Sequence, residues 1–87
     1  MPRPVVIEVC AFTFAACQAA QAGGADRIEL CANPIEGGTT PSAGLIQRVR
    51  EKIPLKLYPI IRPRAGNYCY SDDEFAVMFN DIAVCKR

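Results

Sequence analysis

Two short segments of the sequence repeat one pattern, in which an apolar residue, a glutamate, a second apolar residue and a cysteine follow one another. They are Ile7-Glu8-Val9-Cys10 and Ile28-Glu29-Leu30-Cys31. In an extended strand, residues two positions apart point to the same face. Each segment therefore presents a glutamate beside a cysteine, which pairs a group able to move protons with a group able to bind a soft metal ion.

The cysteines of the repeat, Cys10 and Cys31, become neighbours if the two segments pair as strands. Two thiolates suit a soft ion of low coordination number such as Cu(I), which needs neither histidine nor four ligands. The pair is also within reach of a disulfide, whose Cα atoms lie about 4.4–6.8 Å apart, and free cysteine is commonly a small buried apolar residue. The residues leave these three interpretations open. Cys17 and Cys85 fall in predicted helices, where we expect packing.

The glutamates of the repeat, Glu8 and Glu29, are expected on adjacent strands, roughly 4.8 Å apart. Two inward carboxylates at that spacing repel each other, and burial penalises their charge further. Arg62, near the end of a third predicted strand, has a planar fork that suits it as their counter-ion. The pattern is consistent with a structural ion-pair network and also with a catalytic or ligand-binding group, for which Glu8, Glu29 and Arg62 are the candidates.

Two loops have residues suited to an anion. Gly37 and Gly38 lead through Thr40 into a predicted helix N-terminus, where free N–H groups favour phosphate or carboxylate, although ordinary turn and cap chemistry explains the same residues. Arg62 and Arg64 flank a proline, and two arginines in a stiffened loop predict binding of a small anionic ligand. These five residues are the predicted ligand-binding set.

Strand and helix patterns alternate along the chain and must position these groups. Strands are predicted over residues 5–10, 27–31 and 55–61, because these runs are rich in β-branched and other apolar residues. Side-chain caps predict helices beginning after Thr13, after Thr40 or Ser42, and after Ser71.

The third helix has the clearest start signal. Ser71-Asp72-Asp73-Glu74 fits a capping box, and Tyr70 with Phe75 fits the hydrophobic staple around it. Apolar residues at 75, 78, 79 and 82 then follow the spacing of a buried helix face.

The order β-α-β-α-β-α predicts an α/β fold with parallel strands and right-handed crossovers. Each unit takes about 29 residues, close to the roughly 31 of a (β/α)8 TIM barrel of about 250 residues. We therefore predict that residues 1–87 are the first three βα units of an incomplete barrel, an N-terminal fragment of a single domain. The glutamates and cysteines would point inward near its C-terminal mouth. Three strands cannot close, so we expect the isolated chain to be marginally stable, aggregating or oligomeric.

The composition narrows the classes of function. Ten lysines and arginines balance nine aspartates and glutamates without long runs, so we expect neither a nucleic-acid-binding arm nor a membrane-binding patch. The absence of histidine excludes Ser-His-Asp and Cys-His nucleophile pairs and mixed Cys/His zinc sites. The five cysteines form no C-x-x-C motif, and no apolar run approaches the roughly 18–20 residues of a membrane span. A reducing, cytoplasmic setting is expected.

Taken together, several motifs resemble the N-terminal portion of the CutC copper homeostasis family, over about a third of a member. They are Glu8-Val9-Cys10, Gly24-Ala25-Asp26-Arg27-Ile28-Glu29-Leu30-Cys31, Glu36-Gly37-Gly38-Thr39-Thr40-Pro41-Ser42, Ile61-Arg62-Pro63-Arg64 and Tyr70-Ser71-Asp72. Ala65 and Asn67 depart from the glycine and aspartate usual in that family.

The resemblance implies a cytoplasmic TIM-barrel protein that forms homo-oligomers, with copper as its ligand and Cu(I) bound by Cys10 and Cys31. Two alternatives come from other classes of protein. The first is a barrel enzyme or small-anion binder that uses Arg62 and Arg64 with Glu8 or Glu29. The second is an inert truncated product.

Overall fold

The structure is a computed structural model that describes residues 5–87, so residues 1–4 of the predicted domain lie outside the described part. Its elements, in chain order, are β1 (Glu8–Ala11), α1 (Phe14–Ala22), β2 (Arg27–Leu30), a short 3-10 helix (Pro34–Glu36), α2 (Ala43–Lys52), β3 (Lys56–Pro59) and α3 (Asp72–Cys85). The predicted alternation of strands and helices is confirmed. All three strands are shorter than the runs at 5–10, 27–31 and 55–61 that predicted them.

The three strands form one parallel sheet in the order β1-β2-β3. Strands joined through a helix must run parallel, so the crossovers account for this direction. The arrangement is that of the first units of a TIM barrel, as predicted. In the part of the chain that the structure describes, β1 and β3 each pair along one edge, and the sheet is open.

Three side-chain caps set the helix starts, because each satisfies a backbone N–H that the first turn leaves free. Thr13 Oγ1 accepts a hydrogen bond from the backbone N–H of residue 16 at 3.0 Å, and Ser42 Oγ accepts one from residue 45 at 3.1 Å. Ser42 rather than Thr40 is therefore the cap of α2. Ser71 and Glu74 form the predicted capping box.

The core lies between the sheet and the helices α1 and α2. Ile28 and Leu30 of β2 are fully buried, and Val49 of α2 and Cys17 of α1 pack in the same cluster. Burying an aliphatic side chain of this size stabilises the fold by about 1.5–3 kcal/mol. Cys17 is thus a packing residue, as expected, and Cys85 is partly buried against the same cluster.

The apolar face predicted to be buried on α3 is exposed, so that prediction is wrong for this chain. Phe75 is 57%, Phe79 78% and Ile82 43% exposed. The spacing of the apolar residues does place them on one face of α3, but no element within residues 5–87 covers that face. The end of α3 is instead tied to α2, because the Arg50 guanidinium donates to the carbonyl oxygen of Cys85 at 2.7 Å.

The other face of the sheet, which would line a barrel, carries the polar residues. Along it lie Glu8 and Cys10 of β1, Arg27 and Glu29 of β2, and Tyr58 of β3, all of them exposed or half-buried. None of the helices within residues 5–87 combines the length and the apolar composition of a membrane span.

Candidate metal centre

The register of β1 against β2 decides which side chains meet. Cys10 lies opposite Glu29, and Glu8 lies opposite Arg27. The repeated motif suggested that like residues would lie side by side, but the strands are shifted by two positions from that alignment. Since the shift is an even number of residues, the glutamate and cysteine side chains of both strands still point to the same face of the sheet.

The cysteines of the repeat approach each other diagonally across the two strands. Cys10 Sγ and Cys31 Sγ are 3.8 Å apart, well beyond the roughly 2.05 Å of a disulfide bond, so both thiols are free. A carboxylate oxygen of Glu29 joins them, and the three ligand atoms all lie within 4.8 Å of one another. Cys10 is exposed, Glu29 half-buried and Cys31 only 2% exposed. We call these three residues the donor cluster.

Both thiols of the donor cluster are neutral near pH 7. Burial, together with the nearby Cys10 and Glu29, raises the pKa of Cys31 to about 12. Burial is also the main cause of the raised pKa of Cys10. Because thiolates are the metal-binding form, an ion entering the cluster must displace these protons.

Glu8 does not belong to the donor cluster, which corrects its predicted place at the mouth. It is the first residue of β1, at the opposite end of the strand, and it accepts a hydrogen bond from Arg27 Nε at 2.9 Å. The Arg27 guanidinium also lies 5.4 Å from the centre of the Tyr58 ring. The expected repulsion between side-by-side Glu8 and Glu29 is therefore absent, because Arg27 lies across from Glu8. Sequence reasoning missed this pair, which the strand register alone creates.

Arg62 is not the counter-ion of the two glutamates, which corrects that prediction. Its guanidinium donates to backbone carbonyls instead, to Glu36 and Gly38 at 2.9 Å each and to Gly66 at 3.0 Å. It is 9% exposed and its charge lies 5.2 Å from the ring centre of Tyr68. Its Nε has no hydrogen-bond partner in the part of the chain that the structure describes. The side chain ties the loop after β2 to the loop after β3.

The glycine loop packs directly on the donor cluster. Gly38 has a φ of 101°, and a Cβ built there would lie 3.6 Å from Cys31 Cβ and 3.7 Å from its Sγ. Gly37, with a φ of 86°, lies against Arg62 Nη1 in the same way. Both backbone conformations favour glycine. Thr40 fastens the end of this loop, because its N–H and hydroxyl donate to the carbonyl oxygen of Arg62 and its hydroxyl accepts from the Arg62 N–H.

Arg64 is engaged within its own loop and by α3. It forms an ion pair with Glu74 and donates to the carbonyl oxygens of Asn67 at 2.8 Å and Cys69 at 2.9 Å. Its guanidinium also lies 5.1 Å from the Tyr70 ring centre. Sequence reasoning missed the pairing with Glu74, although the capping box had already singled that residue out. The structure therefore places the two arginines as braces of neighbouring loops.

The parallel sheet, its covering helices and the donor cluster near the carboxyl ends of two strands define the class of protein. It is an incomplete TIM barrel with a candidate metal centre near the carboxyl ends of its strands. A family model described as the CutC family matches residues 5–87. The chain therefore belongs to the CutC family.

Individual relatives agree with this assignment. A CutC family protein of Klebsiella pneumoniae subsp. pneumoniae is 52% identical over 81 residues, and one of Edwardsiella ictaluri is 50% identical over 82 residues. These matches cover 93% and 94% of this chain but 33% of each relative, so the chain spans about a third of their length. The crystal structure of CutC from Streptococcus agalactiae, a proposed copper homeostasis protein, aligns with a TM-score of 0.80 at 34% identity. That alignment covers 94% of this chain and 41% of that one.

Proposed function

We propose that this chain acts in copper homeostasis and that it binds Cu(I) through the thiolates of Cys10 and Cys31. The observation that carries the proposal is the 3.8 Å separation of the two sulfur atoms on neighbouring strands. Two sulfur donors at this distance can bind one ion together without moving the backbone. Thiolate is the ligand that Cu(I) prefers, and the site needs no histidine, which the chain lacks.

The two thiols have different surroundings, and these suit uptake of an ion. Cys31 is buried beneath Gly38 and is held on one side by the glycine loop, so its sulfur is the fixed donor. Cys10 is exposed and faces the open side of the sheet, so the ion can arrive there from solvent. In the proposed complex the ion replaces the thiol protons, and the copper is cargo to be held and passed on.

The wider setting is part of the same proposal. Residues 1–87 would be the N-terminal part of a single barrel domain, which the 33% coverage of the relatives supports. Thiols kept free for Cu(I) fit a reducing cytoplasm. In the full-length protein we expect a homo-oligomer.

The alternative of an enzyme or small-anion binder has one observation in its favour, because the Nε of the buried Arg62 has no hydrogen-bond partner among residues 5–87. Against it, the other Arg62 donors and those of Arg64 already serve backbone carbonyls and Glu74. An anion at this loop would have to displace several of these contacts. We therefore prefer the copper proposal.

A competitive titration with a coloured Cu(I) chelator, without oxygen and with a reductant, tests the copper proposal. Cys10→Ser and Cys31→Ser should each lower the Cu(I) affinity about 100-fold or more, since even the outer partners of a metal ligand are typically worth 10–100-fold. Cys69→Ser is the matched control, because Cys69 is an exposed loop cysteine outside the donor cluster. Equal Cu(I) affinities in all three variants, or no binding to the parent chain, would refute the proposal and favour an inert product.

A further inference from the structure

Glu29 is the part of the donor cluster that the copper proposal does not use. Its carboxylate lies within 4.8 Å of both sulfurs, and no residue among 5–87 forms an ion pair with it. The other carboxylate on this strand face, Glu8, is paired with Arg27. A half-buried carboxylate that no cation of the described part pairs, placed beside two thiols, is a third donor available to a metal ion.

The distance between the sulfurs indicates the coordination geometry that the cluster suits. With metal–sulfur bonds of about 2.3 Å, a tetrahedral ion needs its two sulfurs about 3.8 Å apart, whereas a linear ion needs them about 4.6 Å apart. The observed separation of Cys10 Sγ and Cys31 Sγ is 3.8 Å. As placed, the thiols are therefore spaced for a tetrahedral ion, and a linear two-sulfur ion needs them about 0.8 Å further apart, through rotation of the exposed Cys10 side chain.

The charge of the three donors favours a divalent ion. Two thiolates and one carboxylate carry three negative charges, so a monovalent ion leaves a residual charge of −2 and a divalent ion leaves −1. Because Cys31 is buried and Glu29 half-buried, residual charge in this place is costly. A mixed set of sulfur and carboxylate oxygen is also one that zinc accepts.

We propose that Cys10, Glu29 and Cys31 form a three-donor site that also binds a borderline divalent cation of the zinc type, with its fourth position open to solvent. Glu29 is then the residue that determines which ions the site accepts. Cu(I) needs only the two sulfurs, whereas the divalent ion needs the carboxylate as well. The inference rests on the cysteine pair of the proposed function and adds a second class of ligand to it. Three protein ligands with one open position is the arrangement of zinc sites that bind a further small molecule.

The test compares Zn²⁺ and Cu(I) binding in the 87-residue chain and its Glu29→Gln variant, which keeps the shape of the side chain and removes its charge. Zn²⁺ is measured by competition with a zinc-binding dye, and Co²⁺ is added as a coloured probe whose thiolate absorption reports sulfur coordination. The parent chain should bind one Zn²⁺. Glu29→Gln should weaken Zn²⁺ binding by about 10–100-fold, while its Cu(I) affinity changes by less than about threefold.

Glu51→Gln is the matched control, because Glu51 is an exposed carboxylate on α2 far along the chain from the cluster. Its Zn²⁺ affinity should equal that of the parent. The inference is overturned if the parent chain binds no Zn²⁺ or if Glu29→Gln binds Zn²⁺ as tightly as the parent. It is also overturned if Glu29→Gln loses affinity for Zn²⁺ and Cu(I) equally, since equal loss indicates a structural role. Glu29→Asp, which retains the charge, should recover part of the Zn²⁺ affinity.

The failure of each proposal gives a different result. If Cys10→Ser retains its Cu(I) affinity, and Cys10→Ser and Glu29→Gln each lose Zn²⁺ affinity, the copper proposal is wrong and the divalent site stands. If Cys10→Ser loses Cu(I) while Glu29→Gln retains Zn²⁺, the copper proposal stands and the divalent site is wrong.

Discussion

Replacing Arg62 with lysine tests whether this side chain is a structural brace. The guanidinium donates to the carbonyl oxygens of Glu36, Gly38 and Gly66, which lie on two different loops. A lysine ammonium is a compact charge on a flexible stem and cannot reproduce the planar fork. Arg62→Lys should therefore keep the charge at this position and lose the connection between the loops.

The expected loss of stability can be worked from the contacts. Lysine can satisfy one of the three carbonyls, so two hydrogen bonds to a charged group are lost, at about 1.5–3 kcal/mol each. The substitution also removes the buried Nε of Arg62, which no group in residues 5–87 satisfies, and this recovers about 1–3 kcal/mol. The net decrease in the free energy of unfolding is about 2.5 kcal/mol. Because a loss of 1 kcal/mol lowers the melting temperature of a small domain by about 4–8 °C, the melting temperature should fall by about 10 °C or more.

Urea unfolding followed by tyrosine fluorescence and circular dichroism measures this change, since the chain has three tyrosines and no tryptophan. All variants must be compared at one protein concentration, because association would alter apparent stability. Arg48→Lys is the matched control, since Arg48 is exposed and its ion pair with Glu51 is long, at 3.9 Å. That variant should remain within about 0.5 kcal/mol of the parent. Equal stabilities of Arg62→Lys and Arg48→Lys would refute the bracing role.

Acid, oxidant and a surface substitution test three other features. The pKa of Glu74 is lowered, chiefly by the backbone N–H of Ser71, so its stabilising effect is complete above the unfolded value of about 4.3 and is lost as the pH falls through the lower folded value. The acid titration of helical circular dichroism should therefore be flatter in Glu74→Gln, and superimposable curves would contradict this. A mild oxidant should join Cys10 and Cys31 in a disulfide, because the sulfurs need only close from 3.8 Å to about 2.05 Å. Peptide mass spectrometry identifies the linked cysteines, and a different pair forming first would contradict this prediction. Phe79→Ser should reduce light scattering by aggregates, and it should change the free energy of unfolding by less than about 0.5 kcal/mol because Phe79 is 78% exposed. A larger loss of stability in urea unfolding would mean that the Phe79 side chain is packed against another part of the protein.

Local signals in the sequence predicted the fold well. The caps at Thr13 and Ser71 are contacts between residues three apart, so the sequence contains both partners. The alternation of strand and helix patterns likewise predicted parallel strands. The register was not predictable from the repeated motif, because a crossover helix, unlike a tight hairpin turn, does not set the pairing, and a barrel requires its strands to be staggered. This stagger is why Cys10 lies opposite Glu29.

The candidate site was predictable in part. The sequence indicated that Cys10 and Cys31 would be neighbours, because both follow the same strand pattern. It did not indicate the partners of Arg62. The carbonyls of Glu36 and Gly38 lie 26 and 24 residues before Arg62, that of Gly66 lies four residues after it, and only the packing of two loops brings them together. The exposed face of α3 has a related cause. An apolar stripe predicts a face suited to packing, but the surface that covers it must come from elsewhere in the chain.

The short span of the donor cluster bears on when a metal centre of this kind can be assembled. All three donors lie between positions 10 and 31, on two strands joined by a single helix. The cluster thus depends on one βαβ crossover and not on closure of the barrel. During protein synthesis, these donors would emerge from the ribosome and meet while most of a full-length relative is still untranslated. Under the proposed function, a nascent chain would then acquire the ion cotranslationally, before the later strands restrict access to the thiols.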